Sequence, residues 1–193
     1  MSIRIAYPVF AVIVVLATVL TDLVALAQVY STPEQAAADS DFLVQGEYAG
    51  TNKSLQVIAR GDGDFEIVVY EGGLPGAGWD KQPPRRIDGD EDVVSQLIQS
   101  MELKRIERKS PTLGTAPPSG AIILFDGSEE SLLANWEDGA TRTDDGLLIQ
   151  GATTRQAFGD YRLHLEFQTP YMPTASGQGR GNSGVYHQGR YET

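Results

Sequence analysis

The sequence predicts an all-β protein, a small antiparallel β module followed by an incomplete β-sandwich. Three observations carry that class. Short apolar runs recur along residues 41–193, many of them bounded by glycine- or proline-bearing turns, a pattern of sandwiches. Residues 162–167 alternate strictly, Leu163, Leu165 and Phe167 to one side and Arg162, His164 and Glu166 to the other, which is the period of a half-buried strand. The last run reaches Glu192 and the sequence stops at Thr193, so nothing after it could pair with its backbone groups. A sandwich needs about 100 residues, and residues 121–193 fall short of that. The expectation is a C-terminally truncated sandwich, the front part of a longer protein.

Composition narrows the function. The net charge of −11 argues against a nucleic-acid partner, because phosphate binding needs clustered Lys and Arg. The absence of cysteine excludes disulfides, Cys-ligated zinc and a thiol nucleophile. At the N-terminus Arg4 precedes an apolar run over residues 5–20, and Ala25, Leu26 and Ala27 give a small-x-small pattern. That is the anatomy of a secretory signal peptide over residues 1–27, cut after Ala27, and it implies a secreted or periplasmic protein with no stable membrane partner after cleavage. The alternative is an uncleaved anchor, but the run is short for a span and Asp22 interrupts its extension.

Residues 28–40 are small and polar and read as a flexible lead-in. A module over residues 41–109 follows. Phe42, Val44 and residues 46–48 suggest a first strand, residues 55–59 a second and residues 65–70 a third, with Gly61-Asp62-Gly63-Asp64 as a strong turn between the last two. The glycine-rich stretch 72–80 reads as an ordered loop anchored by Trp79. Residues 83–92 are polar and turn-rich, and Val93, Val94, Leu97, Ile98 and Met101 recur at helical spacing. Residues 104–109 fit either helix or strand. Residues 110–120, with three prolines and two glycines, form the best linker. Beyond it come the apolar run 121–125, the Asp126-Gly127 turn, Trp136, a short strand at 146–149, and strands at 162–167 and 185–191.

Several ordered motifs resemble one family. LFDG at residues 124–127, Trp136, GLLIQG at 146–151, FGDYRLHLEF at 158–167 and GQGRGNSGVY at 177–186 are similar to the 3-keto-disaccharide hydrolase domain family, formerly a domain of unknown function. The preceding segments around residues 45–48, 56–65, 72–80 and 110–118 resemble its planctomycete-type secreted members. That family continues past Tyr191 and Glu192 with further strands. The resemblance implies a concanavalin- or laminin-G-like jelly roll that cleaves 3-keto-glycosides, by hydrolysis or by elimination. A 3-ketone acidifies the C2 proton, so a base near C2 and a group that polarises the ketone suffice to expel the C1 substituent.

Glu166 is the candidate base, on a polar strand face shared with His164 and Arg162. Equally open is a solvated glutamate paired with Arg162 or a cross-strand neighbour. His164 and Glu166 could hold a divalent metal, but two ligands do not make a site, so no metal or other cofactor is assigned. The glycine-rich loop allows close backbone approach to a ligand; Asn182 and Ser183 suit sugar hydroxyls and Arg180 could polarise a keto oxygen. The competing reading is a β-turn with Asn182 bonded to its own backbone. Glu192 could be the second carboxylate of a pair, whereas His187 reads as a strand-face residue. The acidic run Asp88–Asp92 lacks the glycine and final glutamate of a calcium loop. A non-catalytic carbohydrate-binding sandwich and a fragment without activity are the rival readings.

Overall fold

The computed structural model describes residues 28–193, so the expected signal peptide lies outside the described residues. The protein is mostly β. Its main element is a five-stranded antiparallel sheet ordered β4-β3-β2-β1-β5, built from β1 (Gly46–Ala49), β2 (Lys53–Gly61), β3 (Asp64–Glu71), β4 (Arg85–Gly89) and β5 (Lys104–Ile106). The β2–β3 hairpin follows from its turn residues. Asp62 and Gly63 both take positive φ, 56° and 80°, the conformation an Asp-Gly pair adopts most readily in a two-residue hairpin turn.

Alternation along these strands makes two faces. Tyr48, Leu55, Val57, Ala59, Phe65, Ile67 and Val69 are buried on one side, together with Val94 and Leu103. Helix α3 (Glu91–Ser100) supplies Val94 to that layer and links β4 to β5 at the opposite edges of the sheet. Its start is fixed by Asp90, whose carboxylate accepts the Val93 N–H at 3.0 Å, with Glu91 and Asp92 in the positive first turn. On the other side Val68, Tyr70 and Leu74 make a smaller cluster under Trp79, whose ring meets that of Tyr70 edge-on at 5.7 Å.

Several differences from the sequence reading concern local structure. Residues around Phe42 and Val44 form a short helix, α2 (Ser40–Val44), because the Asp39 side chain caps it; the strand begins only at Gly46. The turn-rich stretch before α3 contains β4, an edge strand whose polar character suits its exposure. Helix α4 (Glu129–Asn135), capped by Ser128, occupies the segment after Asp126-Gly127. The runs 121–125, 146–149 and 162–167 are not strands, since no strand among the described residues lies beside them to complete a ladder, and the strand expected over 185–191 is instead two short strands that fold back on each other around a turn. Over residues 121–193 the β structure consists of the two-stranded ladder β6 (Tyr186–His187) and β7 (Tyr191–Glu192) and of isolated bridges such as Trp136 with Thr154 and Arg142 with Leu148.

The two halves touch through residues 171–180. Tyr171 exchanges backbone hydrogen bonds of 3.0 Å with Tyr30 and is buried in the module core, its ring 5.1 Å from that of Phe42. The expected lead-in therefore contributes Tyr30 and the capped turn α1 (Pro33–Ala36) to this contact layer. Gly61, at φ 91°, lies so close to Thr174 that a Cβ there would come within 2.7 Å of its methyl group.

Candidate functional site

The sequence-derived site residues fall in four places. Glu166 is tied to the linker and to its strand-face neighbour: Ser110 Oγ donates to it at 2.9 Å, Thr112 donates as well, and His164 Nε2 stands 3.4 Å away. The hydroxyl bonds from Thr112 and Ser110, with the nearby imidazole, pull its pKa below the ordinary glutamate value. The carboxylate is thus ionised at neutral pH, the state a general base requires, and is a weaker base than a free glutamate. Its neighbour across the 3.4 Å contact is the His164 ring rather than Arg162.

Glu192 sits on the β6–β7 ladder, where the Tyr186 hydroxyl donates to it at 3.0 Å; that bond to a carboxylate raises the phenol pKa. Asn182 donates to Gln178 Oε1 at 2.6 Å, a bond across the glycine-rich loop. Ser183 makes no side-chain hydrogen bond among the described residues. Arg180 turns toward the module, 3.4 Å from Gln45 Oε1 and 3.5 Å from the Pro173 carbonyl. No hydrogen bond or ion pair among the described residues joins Glu166 to Glu192, and no group of three or more His, Asp or Glu there is placed to hold a metal ion.

A hollow of about 460 Å³ lies beside the strand-like segment, lined by Tyr161, Leu163, Leu165, Val185 and His187. Tyr161 hydrogen-bonds His187 Nδ1 and the two rings stack at 5.8 Å. His187 Nε2 faces Thr193 Oγ1 at 2.9 Å. An imidazole bonded at both nitrogens is oriented to pass a proton, and the aliphatic and aromatic wall suits the apolar face of a ring. Sequence reasoning gave His187 only a strand-face role and passed over Tyr161. The available signal was that His187 is one of only two histidines in the chain.

The comparison with known families falls on this half of the molecule. Residues 120–193 match the 3-keto-alpha-glucoside-1,2-lyase-like domain. The match covers the motif-bearing segment and not the five-stranded module, and it agrees with the resemblance carried by residues 124–186. No curated protein and no solved structure matches the chain. The family that this segment matches is one related to carbohydrate.

Proposed function

We propose that the lyase-like segment cleaves 3-keto-glycosides, and the observation that carries this is the family match over residues 120–193. Glu166 takes the C2 proton, the electron pair moves into the adjacent ketone as an enolate, and collapse of the enolate breaks the C1–O bond. The departing oxygen takes up a proton, and water added to the resulting C1=C2 bond makes the outcome a net hydrolysis. Glu192 is the second carboxylate in this scheme, and His164, Asn182 and Ser183 supply polar contacts to sugar hydroxyls. The N-terminal pattern supports a secreted or periplasmic location, with the module over residues 41–109 and the linker 110–120 ahead of the sugar-active segment.

The test is release of the aglycone from a 3-keto-glucoside by the full chain, with and without added divalent metal. The proposal expects turnover, and expects Glu166→Gln to lower kcat by roughly 10²- to 10⁴-fold with substrate binding kept. Sugar binding without turnover, unaltered in the variant, would instead establish a carbohydrate-binding module.

A further inference from the structure

We propose that the groove between the second face of the five-stranded sheet and residues 173–180 binds a sugar bearing one carboxylate, with Arg180 as the partner of that carboxylate. The groove has a volume of about 500 Å³. Ile58, Arg60 and Glu66 form its sheet wall, and Thr174, Ser176 and Arg180 form the facing wall.

The charges in this groove are unequally satisfied. Arg60 is paired with Glu66 at 2.6 Å and with Asp88 at 3.2 Å, and the other Glu66 oxygen takes Arg86. Those side chains neutralise one another. Arg180 has no carboxylate partner among the described residues. Its two contacts, to Gln45 and Pro173, are both at the long limit of a hydrogen bond. A guanidinium carries five N–H donors in a planar fork that fits a carboxylate bidentately. Half-burial makes its charge costly and lowers its pKa, and an incoming anion would relieve that cost.

The rest of the groove selects among anions. One unpaired cation balances one negative charge, so a monoanion is matched where a dianion such as phosphate would leave one charge uncompensated. Thr174 and Ser176 offer hydroxyls for a polyol. Ile58 offers an apolar patch for a ring face. The facing wall is itself held in place, by Tyr171 in the module core and by the close approach of Thr174 to Gly61. The site stands on the module as much as on the lyase-like segment and does not depend on the cleavage reaction.

The experiment is titration of the full chain with D-glucuronate, D-glucose and acetate, read by calorimetry and by amide chemical shifts. Glucuronate should bind at least about tenfold more tightly than glucose or acetate. Arg180→Gln should abolish that preference, Arg180→Lys should keep part of it, and Arg155→Gln, whose partner is Asp138, should leave it unchanged. Should Arg180→Gln fail to fold, the shifts in the unaltered chain decide: changes confined to residues 58–66 and 173–180 support the site. Equal affinity for glucose and glucuronate, equal affinity for acetate and glucuronate, or shifts elsewhere would overturn it.

Discussion

Residues 65–69 and residues 163–167 both place apolar side chains at every other position, and those side chains meet opposite fates. Phe65, Ile67 and Val69 are 1%, 0% and 4% exposed, whereas Leu163, Leu165 and Phe167 are 39%, 45% and 76% exposed. The first set belongs to a strand with β2 on one side and β4 on the other, and α3 contributes to the layer over its apolar face. The second set has no ladder partner among the described residues. Alternation therefore specifies which face would be apolar; a strand forms only when a neighbour takes up the backbone groups and a layer covers that face. Among the described residues, a five-stranded sheet with a buried core, which Tyr171 joins, thus contrasts with a lyase-like segment that carries the sugar-related motifs on weakly buried structure.

The largest effect that could break this comparison is truncation of matched aromatic residues. Phe65→Ala should cost about 3–5 kcal/mol through the lost burial and the cavity left behind, while Phe167→Ala should change stability by less than about 0.5 kcal/mol. Urea denaturation of both variants measures the contrast. Next comes the contact between the halves. The Tyr171 hydroxyl is buried without a hydrogen-bond partner among the described residues, and burial beside Asp39 and Asp41 pushes its pKa far up. Tyr171→Phe should be neutral or stabilising by about 1 kcal/mol, since it removes an unsatisfied polar group, and Tyr171→Ala should destabilise by about 3 kcal/mol. Gly61→Ala should cost about 1–2 kcal/mol, because it combines a left-handed backbone with the Thr174 clash. Amide exchange at residues 171–176 should rise in that variant.

The smallest effect is electrostatic. Hydrogen bonds from Arg60 and then Arg86 hold the Glu66 pKa below the ordinary glutamate value. A carboxyl depressed in the folded state adds stability above its unfolded pKa and loses it as pH falls through the folded one. Glu66→Gln should therefore lower the unfolding free energy from urea denaturation slightly at pH 7, by less than about 1 kcal/mol given the exposure of both arginines. The difference from the unaltered chain should vanish in acid.

Local chemistry made much of the module legible. The β2–β3 hairpin followed from Gly61-Asp62-Gly63-Asp64, and α3 from the spacing of Val93, Val94, Leu97, Ile98 and Met101. β4 was hidden because an edge strand such as Arg85–Gly89 need not be apolar. Helices α1, α2 and α4 were hidden because each is a short, capped segment of four to seven residues, too brief for a periodic signal. For the site, sequence placed Glu166 and His164 on one face two positions apart, and in the structure the two side chains stand 3.4 Å from each other. It gave no sign that Ser110 and Thr112, more than fifty positions away, bond Glu166. Nor did it reveal that Arg180 faces Gln45, a contact across 135 positions. Such pairings depend on tertiary packing, which no local pattern records.

The most direct test of the contrast is native-state hydrogen exchange on the full chain. Amides of β2 and β3 should exchange only through global unfolding, and those of residues 161–167 should exchange orders of magnitude faster through local opening. Protection of residues 161–167 equal to that of β2 and β3 would contradict the account, because it would place the lyase-like segment within the same cooperative core.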